Sequence, residues 1–346
     1  MLYRLTVHEE IDDALLGQIY FRGKPIDLEY HRAATVDEAV DLLDRFGNEA
    51  RIIAGGTDLL GLIKHKIVLP RVLVDVTPIS SIKQIVRTAE GLSIGALALI
   101  RDLEYSSLIQ EESPILFDAA RSIASPQIRN MATLGGNLCQ ETRCWYYRRS
   151  PLTGNTFDCA RKSAEGECYA REGENQYHAI IGDSPCVSVN PSDMATVLLA
   201  LDARIKTTGP GGQRVVSVDD FYTDVGNTLE HGEIITALQV SESAVGTRQR
   251  FLKFRLRKAI DFAIVSVAAV VTVDRGIVHD ARIVVGGVAQ KPFRATHAEQ
   301  VVVGERLTAA TAAEAARASM IAAAPLSKNG YKVPIAEALI KRALLE

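Results

Sequence analysis

Hydrophobic and polar positions along this chain change period several times, and each change marks an element. Thr35-Val36-Asp37-Glu38 has the form of a capping box, followed by Ala39, Val40, Leu42, Leu43 and Phe46 on one helical face and by Gly47 where the helix must end. Residues 50–54 (ARIIA), 71–76 (RVLVDV) and 91–98 (GLSIGALA) read as short strands. Ser113-Pro114 is a cap followed by proline at the first helical position, opening a helix through about Ser122. Residues 193–202 (DMATVLLALD) form an apolar helix, and Arg204 to Thr208 a strand that turns at Gly209-Pro210-Gly211-Gly212. A second unit begins near residue 245, with strands over 250–256, 265–273 and 281–287, an Ala-rich helix over 309–324 and an amphipathic helix from Pro334. The pattern is α/β in class and contains no internal repeat.

Length and charge narrow the function. The 346 residues suggest about two domains, which need no covalent staples to fold. With 39 basic against 42 acidic side chains and no basic run, the chain offers no field for nucleic acid. Its longest nearly uninterrupted apolar stretch, Ala263 to Val273, has 11 residues, short of the ~18 to 20 that cross a bilayer, so no membrane span is expected. Residues 1–13 (MLYRLTVHEEIDD) carry charges where a secretory leader needs an apolar centre, so the expected location is cytoplasmic unless a partner's signal exports the folded subunit.

All five cysteines lie within 139–186, spaced C-x4-C-x14-C-x8-C-x17-C in a segment rich in Arg, Glu, Gly, Asn and Tyr that has little periodicity to pack itself. Disulfides suit an exported chain, and five is an odd count. Structural zinc usually takes C-x2-4-C knuckles, and no C-x-x-C pair is present. An iron-sulfur cluster takes four thiolates and tolerates irregular spacing where a loop wraps it. Spacing alone leaves these readings open.

Two glycine motifs flank the segment. The strand at 50–54 runs into Gly55-Gly56-Thr57-Asp58-Leu59-Leu60, and Thr133-Leu134-Gly135-Gly136-Asn137 directly precedes the cysteines. A residue without Cβ lets backbone N–H groups approach an anion, and two such loops suit one diphosphate; a plain strand-to-helix turn is the bland alternative for each alone. Neither matches G-x-G-x-x-G in a βαβ unit, and no G-x-x-x-x-G-K-[ST] is present, which disfavours a Rossmann fold and a P-loop.

These residues resemble the flavin-binding subunit of the xanthine oxidase family of molybdenum hydroxylases, over about residues 28 to 346. The AGGT-like first loop (Ala54, Gly55, Gly56, Thr57, Asp58, Leu59) and the T-x-GGN second loop (Thr133, Gly135, Gly136, Asn137), about 80 residues apart, carry the resemblance. It implies that both loops hold the FAD diphosphate, that Asp193 in Ser192-Asp193 reaches the ribityl or ring portion of FAD, and that Lys253 lies near the isoalloxazine. Taken alone, Asp193 reads as a helix cap and Lys253 as a solvated edge-strand charge. The implied fold is a two-lobed FAD-binding domain of the PCMH/vanillyl-alcohol-oxidase-like type over 28–244, plus a smaller C-terminal domain over 245–346 with an antiparallel sheet and helices. Residues 1–27 form an extension without an assigned role.

More than fifty residues separate Asn137 from Ser192, where most members have a dozen or so. The excess is similar to the insertion in the β subunit of 4-hydroxybenzoyl-CoA reductase and in the flavin subunit of certain bacterial aldehyde oxidoreductases, which carries a [4Fe-4S] cluster. By that resemblance Cys144, Cys159, Cys168 and Cys186 are the ligands and Cys139 is not. The GGNLCQETRC stretch looks more like the reductase, whereas residues 178–193 and 284–292 look more like the aldehyde enzymes.

The resemblance places substrate chemistry on a partner, so no catalytic residue is expected in this chain. It implies a redox subunit of a complex with a molybdopterin-containing large subunit and a [2Fe-2S] small subunit. The leading expectation runs electrons inward, from ferredoxin through cluster and FAD to molybdenum, for dehydroxylation of an aromatic acyl-CoA. The runner-up runs them outward, from an oxidised aldehyde or N-heterocycle to ferredoxin or another acceptor. A zinc-stabilised protein without redox function is the alternative of a different class.

Overall fold

A computed structural model describes residues 19–21, 24–26, 28–151, 157–242 and 247–346. The expected extension 1–27 lies largely outside these residues; what is described of it is the antiparallel pairing of strand Ile19–Phe21 with strand Lys24–Ile26. The expected unit boundary near 245 also falls outside them.

Three strands begin the fold, Glu29–Arg32, Ala50–Ile53 and Val72–Asp75, with Val72–Asp75 at the centre of a parallel sheet. Helix Val36–Phe46 connects the first two as the capping pattern predicts: Thr35 Oγ1 accepts from the Glu38 N–H, and Gly47 ends it at φ 58°. The Glu38 carboxylate reaches back one residue further than expected, to the Ala34 N–H at 2.7 Å. Its buried face, Ala39, Val40 and Leu43, closes a core with Val72, Val74 and Ile79.

The second lobe is built on a five-stranded antiparallel sheet ordered Ile85–Thr88, Gly91–Gly95, Ile234–Val240, Arg204–Gly209, Gly212–Ser217. The Gly209–Gly212 hairpin turn is as expected. The central strand Ile234–Val240 is missing from the expected elements, because Thr236 and Gln239 break its apolar run; Gln239 is nonetheless buried and donates to Thr88 Oγ1. Helices Pro114–Ser122 and Asp193–Ala200 pack behind this lobe, and every residue of the latter is buried.

Strands Thr247–Phe254, Val265–Asp274, Ile277–Gly286 and Phe293–Arg294 form the last sheet, antiparallel throughout. Ala268, Val270 and Val284 face the core shared with helices Pro114–Ser122 and Asp193–Ala200, while Val267, Ala269, Val271 and Ile283 face Ala312, Ala315, Ala316, Leu339 and Ile340 of the C-terminal helices. Burial on both faces accounts for the near-continuous apolar run at 263–273. No helix of the described residues is long and apolar enough to cross a membrane.

Candidate functional site

Strand Ala50–Ile53 delivers the first glycine loop to the junction of the two lobes. A Cβ built on Gly55 stands 1.7 Å from the Met131 carbonyl oxygen, so the two loops touch backbone to backbone and only glycine permits the contact. Gly56 follows at φ +67°, in the left-handed region, and turns the chain into helix Leu59–Lys64. Among the described residues, the N–H groups of residues 55–59 donate to nothing else in the chain. Five consecutive unspent donors bordering a cleft are an anion-binding arrangement.

The second loop is a short helix, Leu134–Leu138, capped by Thr133, whose Oγ1 accepts from Gly136 N–H at 3.1 Å. Its Leu134 and Gly135 N–H groups dock on the Ala98 and Ala96 carbonyls, just beyond strand Gly91–Gly95. The two loops line a cleft of about 300 Å³ that contains Ala54 through Leu59, Thr133, Gly135 and Gly136, with Leu97, Leu229, Ile234 and Ile235 among its apolar walls. Thr57, Asp58, Gly136 and Gln140 also border a second cavity of about 290 Å³, which reaches Asn137, Asp193 and Lys253. All twelve expected cofactor-binding residues therefore lie along one groove.

Within it, the bland readings of two residues do not hold. Ser192, not Asp193, caps helix Asp193–Ala200, with Ser192 Oγ accepting from Ala195 N–H and donating to Asn137 Oδ1 at 2.7 Å. Lys253 does lie on an edge strand but is not solvated: its Nζ is 2.6 Å from Asp193 Oδ2, and both side chains are 5% exposed. Lys253 also donates to the Ser122 carbonyl. The buried, paired ammonium lies toward one end of the groove and the open amides toward the other, so an anionic group of a long ligand would meet the amides. The Asp58 side chain has a further role beside its place on the groove. Its carboxylate is taken by Arg143 at 2.9 Å, Arg148 at 2.7 Å and the Glu141 N–H at 2.8 Å, so it ties the first loop to the cysteine segment.

That segment contains neither α-helix nor β-strand over the described part of 139–192. Tyr147 and Cys159 pack with Leu62, Ile67 and Val68. Cys144, Cys159, Cys168 and Cys186 line a single cavity with Tyr146, Tyr147, Arg161, Tyr169 and Ser188. Cys139 is exposed and borders the glycine cleft instead. All five cysteines are free thiols, so the disulfide reading has no bond to support it. Among the described residues no three His, Cys, Asp or Glu side chains converge as a single ion requires.

Sequence reasoning missed His178, and a lone histidine in a loop carries no motif that reveals it. Its Nε2 stands 3.2 Å from Cys144 Sγ, and the residue is 2% exposed. Burial, reinforced by the Lys332 cation, pushes its imidazole down to about 4. Burial likewise pushes the Cys144 thiol up to about 11 and the Arg143 guanidinium down to about 10, in the latter case against the Asp58 charge. A bound cation reverses the thiol penalty by stabilising the thiolate. A cleft of about 560 Å³ between Trp145, His178, Leu256 and Phe262 joins this region to the groove through Arg143, Pro191, Ile260 and Asp261.

Comparison with known proteins agrees with this geometry. Residues 25–241 match the family described as FAD binding domain in molybdopterin dehydrogenase, and residues 250–346 match the CO dehydrogenase flavoprotein C-terminal domain. The aldehyde oxidoreductase FAD-binding subunit PaoB of Escherichia coli is 34% identical over 326 residues, 92% of this chain and 97% of that one. The carbon monoxide dehydrogenase medium chain of Hydrogenophaga pseudoflava is 28% identical over 92% of this chain and 96% of its own. A solved carbon monoxide dehydrogenase from that organism superposes with a TM-score of 0.75 at 27% identity, covering 93% of this chain and 97% of its own. Quinoline 2-oxidoreductase from Pseudomonas putida gives 0.73 at 26%, covering 92% of this chain and 95% of its own. The chain thus belongs to the FAD-binding subunits of the molybdenum hydroxylases and is the flavin-binding part of an oxidoreductase.

Proposed function

We propose that this chain carries two redox groups, FAD along the groove of Gly55, Gly56, Thr133, Gly136, Asn137, Asp193 and Lys253, and a [4Fe-4S] cluster on Cys144, Cys159, Cys168 and Cys186. It works with a molybdopterin-containing large subunit and a [2Fe-2S] small subunit, as residues 28–244 and 245–346 of a medium subunit. FAD supplies the exchange of single electrons with clusters and of electron pairs with other acceptors. The chain's own residues hold it: the open amides of 55–59 meet the diphosphate, and the Lys253 ammonium stabilises negative charge at the ring end.

One observation carries the cluster reading: four free thiols surround one cavity that Asp58, Arg143 and Arg148 tie to the first glycine loop. Four thiolates at irregular spacing match the ligand complement of a [4Fe-4S] cluster, whereas structural zinc usually takes C-x2-4-C knuckles that this segment lacks. The relation to the aldehyde oxidoreductase subunit supports outward flow, from an aldehyde oxidised on the large subunit to ferredoxin or another acceptor. The GGNLCQETRC stretch supports the inward alternative, toward an aromatic acyl-CoA as in 4-hydroxybenzoyl-CoA reductase.

Anaerobically purified chain is expected to hold one FAD and about four irons. Gly55→Ala, which drives a Cβ into the Met131 carbonyl, is expected to lose most of the flavin. Zinc without flavin sinks the reading. With the assembled complex, dye reduction by an aromatic aldehyde marks outward flow, and consumption of 4-hydroxybenzoyl-CoA by a low-potential donor marks inward flow.

A further inference from the structure

We propose that His178 is a positioning residue for the iron-sulfur site, donating an N–H···S hydrogen bond to Cys144 that raises the reduction potential of the cluster. This rests on the cluster reading above and deepens it.

The geometry fixes the ring opposite the sulfur. Nε2 lies 3.2 Å from Cys144 Sγ, within hydrogen-bonding reach of sulfur. The ring is wedged edge-on against Trp145, centroids 5.4 Å apart, and beside Tyr146 at 6.2 Å. Its backbone is pinned as well: the His178 carbonyl accepts from Lys332 Nζ at 2.9 Å and Asn329 Nδ2 at 3.2 Å, and its N–H donates to the Asn175 carbonyl. Nδ1 is buried and makes no well-directed hydrogen bond, although the Asn175 carbonyl lies near the ring. A neutral imidazole has one N–H. On Nδ1 that proton has only the Asn175 carbonyl near it and the Nε2 lone pair faces sulfur; on Nε2 it meets the thiolate. The second arrangement is the one a cluster ligand selects.

A second feature holds that donor in place. Lys332 is 1% exposed, and its recorded partners are the carbonyls of Tyr177, His178 and Gly287. A donor on the ligand sulfur favours the extra negative charge of the reduced cluster, and Lys332, reaching across from the C-terminal helix, fixes the backbone that carries that donor.

The test is an EPR-monitored redox titration of the full chain, with iron and flavin content determined on each sample. His178→Phe keeps a ring but no N–H, and His178→Gln restores a donor. The Phe variant is expected to keep its iron and lose about tenfold in electron affinity, about 59 mV for one electron, with Gln closer to the parent and the flavin potential unmoved. An unshifted Phe variant overturns the proposal, as does an equal shift in Gln, which marks packing or water entry instead. Should both variants lose iron, electron-nuclear double resonance of the reduced parent with histidine alone labelled with 15N decides: a 15N coupling to the cluster supports the hydrogen bond and its absence overturns it. Parent chain with flavin but no iron defeats the cluster reading itself, and the proposal with it.

Discussion

Glu233 is 6% exposed and still holds its charge, which shows how this fold treats a buried acid. Burial alone raises such a carboxyl. Arg214 donates twice, at 2.5 and 2.6 Å, and with Thr207 and the Glu230 N–H it outweighs burial and holds the group below its ordinary 4.5. A depressed carboxyl contributes stability that is present above the unfolded pKa and is lost as pH falls through the folded value. Glu233→Gln is therefore expected to cost about 1–3 kcal/mol at pH 7, toward the lower end because Arg214 is partly exposed. The difference from the parent in thermal melting shrinks below pH 4.5. At the same scale, the types of Asp193 and Lys253 are visible in the sequence, but not that each is the other's partner.

Among the elements, the join between the first glycine loop and the cysteine segment governs how the two proposed groups depend on one another. Asp58 holds Arg143 and Arg148 across 85 and 90 residues. Asp58→Asn leaves two partly buried guanidinium groups short of charge and is expected to lower flavin and iron content together. Cys144→Ser is expected to lower iron while flavin stays; loss of both in that variant argues against separate sites. The glycine loops, the Thr35 and Ser192 caps and most strands are legible because each is a property of adjacent residues. Helix Leu134–Leu138 is less so, since Gly-Gly-Asn has poor helix propensity and the Thr133 cap and docking on Ala96 and Ala98 override it.

Across the whole molecule, the cysteine segment is clamped between the lobes and the C-terminal helices. Lys332, at the start of helix Lys332–Leu345, holds the Tyr177, His178 and Gly287 carbonyls, while Asn175 receives the Lys328 N–H and donates to Ser327. Burial pushes the Lys332 ammonium down to about 7. Lys332→Met strands three carbonyls and is expected to cost about 2–4 kcal/mol. Hydrogen exchange should accelerate at 177–181 and stay unchanged in helix Val36–Phe46.

What the sequence determined by itself is local: which residues lack a Cβ, which cap a helix, where period two gives way to 3.6, and where the thiols lie along the chain. The family resemblance rests on such features, because a glycine loop works through a few consecutive backbone groups. Tertiary structure decided the meetings: Gly55 on Met131, Asp193 with Lys253, and His178 against Cys144 with four thiols around one cavity. The order of residues carries no distances, so partners separated by 34 or 60 positions are brought together only when the apolar faces that flank them pack.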